Sequence, residues 1–347
     1  MKIICIFIAH IFELAANRQK SVNENAKDIK HKHSNMYNMK QLITGIILIL
    51  ISSYAFGQRQ ETVYLDKGNT TSNYYIIIYP DQLPWKGYLF LVPSFGETPE
   101  VVLLQTDLPK RAAQNGVLTI IPVFKTGVLS LGIDRATQES FEEIMNDVKG
   151  KHQLQNLKLF LGGFSIGGAC VIKHAQSLNE KPFGTKPVAV FAIDPPLDFE
   201  RFYNSALRDI RLSVNTAASQ ENVYMKGRIE ELMGGNPSET LSNYHKISPY
   251  SFSDTTQNAV KRLMNTPLRI YSEPDISWWI EERGADFSSM NVLDCSAMIN
   301  ELNRLGNEKA TLIVTENKGF RKLQNSKHPH SWSIVDDEDL IRWLLQQ

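Results

Sequence analysis

Residues 157–168 read LKLFLGGFSIGG and place a serine, Ser165, in the pattern Gly-x-Ser-x-Gly between an apolar run and a helix-like segment. This pattern is typical of a nucleophile elbow, a sharp turn between a buried strand and a helix that presents the serine hydroxyl. The turn strains the serine backbone, and the residues two before and two after it must lack side chains so that strand and helix pack closely. Gly163 and Gly167 occupy those positions. We therefore predict that Ser165 is a nucleophile.

Outward from this turn, short β-rich runs alternate with helix-like segments, the pattern of a mostly parallel sheet covered by helices on both faces. An apolar run such as residues 88–92 (YLFLV) indicates a strand buried on both faces. The predicted fold class is α/β. The predicted strands are Glu61–Leu65 and Tyr74–Tyr79, expected to form a hairpin, then Gly87–Val92, Leu118–Val123, Leu157–Leu161, Val188–Ile193, Leu268–Tyr271 and Thr311–Val314. The predicted helices lie at about 98–115, 136–150, 166–178, 288–305 and 337–346.

The alternation stops between Ile193 and Leu268, over roughly seventy residues, which is too long for a plain connection. Residues 194–267 are therefore predicted to form an insertion of helices and loops that caps the site. We expect the specificity of the protein to lie in this insertion and in the neighbouring loops.

The N-terminal region differs from the rest of the chain. Met39-Lys40 is followed by an apolar stretch from Leu42 to Ile51 and then by small residues, the order found in a signal peptide. Its apolar core is shorter than the roughly 20 residues of a comfortable membrane-spanning helix, although an uncleaved anchor is the alternative. We predict a signal peptide at 39–57, which leaves 347 − 57 = 290 residues of a secreted or periplasmic protein.

Residues 1–38 precede this signal and end in a polar, His- and Asn-rich stretch, an unusual place for a signal to start. We predict that Met39 is the true start and that residues 1–38 are a non-native or disordered leader. The folded domain is then predicted over 58–347.

The charge balance excludes several classes of partner. Lys+Arg and Asp+Glu each number 37, and no basic run occurs, so no field attracts the chain to nucleic acid or to a membrane after signal cleavage. No Cys/His spacing resembles a zinc site, and we expect no metal and no cofactor. A small-molecule substrate fits best, and nothing in the sequence indicates an oligomeric state.

A serine hydroxyl attacks well only when a base takes its proton, so we expect a histidine further along the chain. The partners of an elbow serine follow in the order Ser, acid, His. The loop before the last predicted helix contains both His328 and His330. We predict His330, which is nearer the helix and follows a Pro-fixed turn, with His328 as the alternative. Two surface histidines in a polar loop are the plainer interpretation.

The acid is expected after the strand Leu268–Tyr271, where the sequence Ser272-Glu273-Pro274-Asp275 supplies two carboxylates. We predict that Asp275 accepts the second N–H of the histidine, which fixes the tautomer and stabilises the imidazolium. Glu273 is the alternative. Either carboxylate could instead be a turn or helix-cap residue.

Negative charge grows on the substrate oxygen during acyl transfer, and two backbone N–H groups usually receive it. Ile166, directly after the nucleophile, is predicted to give one. The other is expected from the turn that follows the strand ending at Val92, where Phe95 is the predicted donor. An ordinary tight turn is the alternative for this segment.

From the elbow at 162–168 and the order of its partners, the sequence resembles the α/β-hydrolase superfamily, and bacterial esterase-like members in particular, over about residues 60–347. The segment Gly234-Gly235-Asn236-Pro237, followed by Tyr244 and Ser248-Pro249-Tyr250, also resembles the stretch before the acid strand of such esterases. One departure is Pro93-Ser94-Phe95-Gly96, where many relatives carry His-Gly.

The resemblance implies a serine hydrolase that cleaves a small or medium carboxylic ester without a cofactor. It implies Ser165, Asp275 and His330 as the triad, with Phe95 and Ile166 as oxyanion donors. A serine peptidase or an acyltransferase would use the same residues. A non-catalytic binding protein on the hydrolase scaffold is the remaining alternative.

Overall fold

The structure is a computed structural model that describes residues 59–80, 83–212 and 217–347. The leader predicted at 1–38 and the signal peptide predicted at 39–57 lie outside these residues. Among the helices that are described, none has both the length and the apolar character needed to cross a membrane.

Eight strands form one sheet in the order β1-β2-β4-β3-β5-β6-β7-β8. Strand β2 runs antiparallel to β1 and β4, and the remaining pairs are parallel. Every predicted strand is present, and the predicted α/β class is confirmed. The strands are β1 (Gln60–Tyr64), β2 (Tyr74–Ile78), β3 (Gly87–Val92), β4 (Val117–Val123), β5 (Lys158–Phe164), β6 (Ala189–Ile193), β7 (Leu268–Ser272) and β8 (Ala310–Val314).

The central strands are apolar throughout because both faces of the sheet are covered. In β3 all six residues are buried. Tyr88 and Phe90 belong to the core on one face of the sheet, and Leu89 and Leu91 to the core on the other. This division follows the alternation of side chains along a strand.

Helices supply the covering layers. They are α1 (Pro99–Gln105), α2 (Leu108–Gln114), α3 (Arg135–His152), α4 (Ile166–Glu180), α5 (Phe199–Leu212), α6 (Ala217–Met233), α7 (Pro237–Ile247), α8 (Asn258–Lys261), α9 (Ile276–Trp278), α10 (Val292–Arg304) and α11 (Asp337–Gln346). Buried residues of α3, α4 and α10 share one core, whereas those of α1, α2 and α11 share the other.

One predicted helix, at 98–115, is two helices in the structure. Thr106 ends α1 in an extended conformation (φ −136°, ψ 148°), and its hydroxyl accepts a hydrogen bond from Leu108 N at 3.1 Å. Pro109 then lies in the first turn of α2, where a missing N–H costs nothing. The hydrophobic pattern runs through this break, so periodicity alone did not reveal it.

The insertion between β6 and β7 contains the four helices α5 to α8. It is tied to α10 by Arg201, whose Nε and Nη2 atoms each donate to a different oxygen of Asp294 at 2.6 Å. Asn236 caps α7 in a capping box with Glu239, and the Tyr244 hydroxyl donates to Gly235 O at 3.0 Å. The helical insertion predicted at this place in the fold is present.

Candidate active site

Ser165 stands at the turn between β5 and α4, with φ 54° and ψ −122°. A Cβ atom at Gly163 would lie 2.4 Å from the backbone of Gly167, and one at Gly167 would lie 2.3 Å from Val92 O. Real side chains do not fit into such gaps, so both positions require glycine. The local geometry is that of a nucleophile elbow.

The end of β6 lies directly beside this turn. The Ser165 N–H donates to Ile193 O, at the end of β6, at 2.8 Å. Asp194, the residue after Ile193, donates its N–H to Tyr271 O of β7 at 2.7 Å. Asp194 has a positive φ of 45°, a conformation that aspartate tolerates better than most residues. Asp194, the residue that follows β6, therefore lies beside the Ser165 turn.

Asp194 Oδ2 lies 2.6 Å from His330 Nδ1. Its other oxygen accepts from the Ser272 hydroxyl at 2.9 Å, and the residue is buried, with 8% of its surface exposed. A carboxylate oxygen accepts hydrogen bonds, so this contact favours the tautomer with the ring N–H on Nδ1. His330 Nε2 is then the ring nitrogen free to accept a proton.

Several neighbours fix the His330 loop. The His330 carbonyl accepts from Arg321 Nε at 3.3 Å and from Nη2 at 3.2 Å, and the His330 N–H donates to His328 Nδ1 at 3.2 Å. The Phe164 ring lies 4.6 Å from the imidazole, centroid to centroid. The imidazole thus packs against Phe164, the residue before Ser165.

His328 has a different place from His330. It is buried against Trp278, with ring centroids 4.5 Å apart, and its Nδ1 atom is an acceptor. Burial, followed by the positive charge of Arg321, lowers the pKa of His328 to about 2. His328 is therefore a neutral support for the loop, and His330 is the histidine that reaches the carboxylate.

Asp275 does not reach His330, contrary to the prediction from the sequence. Its Oδ2 atom lies 2.5 Å from Lys327 Nζ, and its Oδ1 atom accepts from Trp278 N at 3.1 Å, which caps α9. The hydrogen bond from Lys327 and then the one from Trp278 hold the pKa of Asp275 below its usual value. Asp194 occupies the position on the imidazole that was assigned to Asp275.

Glu273, the second predicted acid, is also engaged elsewhere. Its Oε2 atom accepts from the Thr315 hydroxyl at 3.1 Å and from Lys318 N at 3.0 Å, and its Oε1 atom accepts from Gly319 N at 2.9 Å. Glu273 therefore fastens the end of β7 to the segment that leads to the histidine loop.

Asp194 was missed, although a signal for it exists. It directly follows a predicted buried strand and precedes Pro195-Pro196, a pair that cannot extend a helix. Both this carboxylate and Asp275 satisfy the order Ser, acid, His along the chain. Only the spatial neighbours of the nucleophile turn separate the two.

The turn after β3 leaves one N–H group free. Ser94 N donates to Glu97 Oε2 at 3.0 Å, Gly96 N to Val128 O at 2.8 Å, and Glu97 N to Ser94 O at 3.1 Å. Phe95 N has no hydrogen-bond partner among the described residues. Ile166 N, in the first turn of α4, belongs to the N–H groups that a helix cannot pair internally. Both predicted donors line the cavity of Ser165.

Glu97, which the sequence did not single out, holds this turn in place. Its carboxylate accepts from Ser94 N and also from Trp332 Nε1, at 3.0 and 3.2 Å to its two oxygens. The pKa of Glu97 is raised above its usual value, because the effect of burial is larger than the lowering effect of these hydrogen bonds. The turn after β3 and the loop of His330 are thereby joined through one side chain.

The cavity at the site has a volume of about 360 Å³. Ser165, Ile166, Asp194, His330 and Phe95 line it from the sheet side, and residues of α5 and α6 line it from the insertion. The Phe95 ring lies 6.1 Å from the Tyr224 ring of α6, centroid to centroid. The insertion thus closes over the site, at a size that suits a small organic molecule.

The described residues include no group of three or more His, Cys, Asp or Glu side chains that could hold a metal ion.

The strand order, the elbow after β5 and the helical insertion after β6 define the α/β-hydrolase fold, and the chain has this fold. No protein-family model matches the sequence, and no curated protein matches it either.

Several solved structures are similar to this chain. An S-formylglutathione hydrolase from Agrobacterium tumefaciens has a TM-score of 0.56 and 11% identity, over 84% of this chain and 96% of that one. Carboxyl esterase 2 from Tuber melanosporum has a TM-score of 0.54 and 11% identity, over 84% of this chain and 87% of that one. MPT51 from Mycobacterium tuberculosis has a TM-score of 0.55 and 13% identity, over 82% of this chain and 99% of that one. At such identities the likeness concerns the fold.

Proposed function

We propose that this protein is a serine hydrolase that cleaves small carboxylic esters through an acyl-enzyme at Ser165. The observation that carries the proposal is the 2.6 Å contact between Asp194 and His330 at a cavity that Ser165 also lines. A serine on an elbow, a histidine oriented by a buried carboxylate and two N–H groups without partners among the described residues are the parts that acyl transfer requires, and they support the proposal.

In this mechanism, Ser165 Oγ attacks the carbonyl carbon of the ester while His330 Nε2 takes its proton. Asp194 keeps the Nδ1–H tautomer and stabilises the imidazolium that forms. His330 then gives the proton to the leaving alcohol. Water, activated by the same imidazole, attacks the acyl-enzyme and releases the acid.

The oxyanion that forms in each step requires hydrogen-bond donors. Phe95 N and Ile166 N serve this purpose, since both residues line the cavity and neither N–H group has a hydrogen-bond partner among the described residues. A single donor of this kind contributes about 3–4 kcal/mol to transition-state stabilisation. The departure Pro93-Ser94-Phe95-Gly96 from the family pattern is compatible with this task because the donor is a backbone group.

The resemblance to esterases supports carboxylic esters as the substrate class, and the similar solved structures include proteins described as a carboxyl esterase and as an S-formylglutathione hydrolase. The test is hydrolysis of p-nitrophenyl esters of increasing chain length by the protein from Gln58 onward, beside Ser165→Ala and His330→Ala. We expect activity that both substitutions abolish, with a chain-length optimum among the short acyl groups. Labelling of Ser165 by a fluorophosphonate provides a readout that does not depend on the choice of ester.

Absence of both ester cleavage and labelling would contradict the proposal and favour a binding protein on this scaffold. Cleavage of amides in preference to esters would favour a peptidase. Transfer of the acyl group to an added alcohol in preference to water would favour an acyltransferase.

We also propose that the protein is exported through a signal peptide at 39–57 and begins at Met39. The support is the charged, apolar and small-residue order of that segment. Expression from Met1 and from Met39, followed by N-terminal sequencing of the exported product, tests this. We expect expression from Met39 alone to give the Gln58 terminus, which would show that export does not need residues 1–38, and an uncleaved product retained in the cell would contradict the proposal.

A further inference from the structure

A pair of arginines faces the cavity of Ser165. Arg321 lies on β9 (Phe320–Arg321), a two-residue strand paired with β10 (Ser326–Lys327), and Arg283 ends the π-helical turn Trp279–Arg283. Both side chains line the cavity. Neither residue belongs to the group that performs the acyl transfer.

Arg321 has hydrogen-bonding capacity to spare. A guanidinium carries five N–H donors, and Arg321 directs Nε and Nη2 at a single acceptor, the carbonyl of His330, at 3.3 and 3.2 Å. No carboxylate of the described residues lies within ion-pair distance of it. The carboxylates of Glu221 and Glu97 act on its charge only from beyond ion-pair distance, so its remaining N–H groups have no acceptor among the described residues.

The carboxylates of the cavity are occupied by other groups. Asp194 holds His330, Glu273 holds the segment after β8, and Asp209 accepts from the Ser289 hydroxyl at 3.1 and 3.0 Å. Glu221 pairs with Arg283 at 2.8 Å. Among the described residues, no carboxylate that lines the cavity accepts a hydrogen bond from Arg321, although Glu221 attracts its charge from a longer distance.

The second arginine is close enough to act on the same ligand. Burial, followed by the positive charge of Arg283, lowers the pKa of Arg321, so the two guanidinium groups repel each other across the cavity. The ion pair of Arg283 with Glu221 is exposed, at 36% and 64% of the side chains, and such pairs are weak. Arg283 can therefore exchange Glu221 for an anion that enters the cavity.

We propose that Arg321, assisted by Arg283, binds a carboxylate of the substrate, so that the enzyme prefers esters that carry a negative charge. An anion between the two guanidinium groups would relieve their repulsion, and a guanidinium binds a carboxylate through two parallel hydrogen bonds. This inference rests on the proposed function, which it narrows from small esters to anionic ones.

Two matched pairs of esters test it. On the acyl side, mono-p-nitrophenyl glutarate is compared with p-nitrophenyl valerate. On the leaving-group side, 4-acetoxybenzoate is compared with its methyl ester. The readout is the ratio of kcat/KM for the anionic ester to that for its neutral partner, because any disturbance of His330 by a substitution at Arg321 acts on both members of a pair.

We expect the wild type to favour the anionic ester in at least one pair. In Arg321→Met this ratio falls by about tenfold or more, mainly through KM, because a charge-assisted interaction is lost. Arg321→Lys retains part of the preference, and Arg283→Met shows a smaller loss. Lys322→Met is the matched control: Lys322 is the next residue along the chain, and it pairs with Asp107 away from the cavity. This control should leave both rates unchanged within about twofold.

A ratio that is the same in Arg321→Met and in the wild type for both pairs would overturn the inference and leave the proposed hydrolase intact. If the wild type cleaves no ester, a binding measurement decides. Monomethyl glutarate is titrated into Ser165→Ala and into Ser165→Ala combined with Arg321→Met by calorimetry. Binding to the first and a loss of about tenfold or more in the second support the anion site without catalysis, whereas equal affinities contradict it.

Discussion

The ends of β6 and β7 lie side by side in the sheet, and each strand is followed at once by a carboxylate, Asp194 after β6 and Glu273 after β7. Glu273 is satisfied by donors that belong to the fixed segment 315–319, two of which are backbone N–H groups. Asp194 instead receives two side chains, those of Ser272 and His330. A carboxylate thus follows each of two neighbouring strands, but Glu273 holds a loop whereas Asp194 orients an imidazole.

The two strands differ in their pairing with β5, the strand that leads to Ser165. Strand β6 pairs with β5, and Ser165 N–H bonds to the residue that precedes Asp194. Strand β7 is one position further away. Asp275, two residues beyond Glu273, turns towards Lys327 and not towards His330.

The largest expected effect comes from removing the acid at the end of β6. Asp194→Asn should lower kcat for a p-nitrophenyl ester by on the order of 10³- to 10⁴-fold, because an amide can also stabilise the wrong tautomer of His330. KM should change little. Steady-state kinetics beside the wild type measures this, and a loss smaller than tenfold would argue against Asp194 as the acid.

Glu273, the carboxylate at the end of β7, should mainly affect the stability of the fold. In Glu273→Gln one oxygen becomes an amide NH₂ that faces N–H donors, so at least one buried hydrogen bond is lost, at a cost of about 1–3 kcal/mol. Chemical denaturation measures the free energy of unfolding. An unchanged value would show that Glu273 does not fasten the segment 315–319.

His328, which supports the loop of His330, should also make the stability of the protein depend on pH. The pKa of His328 is about 2 in the folded chain, whereas its ordinary value is 6.5. Below pH 6.5 the unfolded chain therefore binds a proton at His328, and the folded chain does not. Stability is therefore present above pH 6.5 and falls as the pH drops below it. Between pH 7 and pH 5 the wild type should lose about 2 kcal/mol more than His328→Asn, which keeps an acceptor for His330 N–H but does not titrate. Denaturation curves at the two pH values provide the test, and parallel losses in both proteins would contradict it.

The smallest effect is expected at Asp275. Its ion pair with Lys327 is at the surface, with 47% of the lysine side chain exposed, so Asp275→Asn should cost less than about 1 kcal/mol. Ester hydrolysis should stay within about twofold of the wild type. A loss of a hundredfold or more would restore Asp275 as the acid and remove Asp194 from that place.

The sequence predicted the parts of the molecule that depend on local signals. The β-rich runs located all eight strands, the two glycines around Ser165 identified the elbow, and the Pro-fixed turn favoured His330 over His328. Each of these features is encoded within about ten residues.

The parts that the sequence did not predict depend on contacts between distant segments. Asp194 and Asp275 both lie between the serine and the histidine along the chain, and only the pairing of β6 with β5 distinguishes them. The carboxylate of Glu97 meets Trp332 across more than two hundred residues. The sequence did not predict the break between α1 and α2 at Thr106, because the apolar pattern continues through it.

The most direct test of the central claim is the rate at which a fluorophosphonate labels Ser165, followed by intact mass in the wild type, Asp194→Asn and Asp275→Asn side by side. This rate reports the activation of the nucleophile without requiring knowledge of the substrate. We predict equal rates for the wild type and Asp275→Asn, and a rate lower by about a hundredfold or more for Asp194→Asn. Normal labelling of Asp194→Asn together with slow labelling of Asp275→Asn would contradict the assignment of Asp194 as the partner of His330.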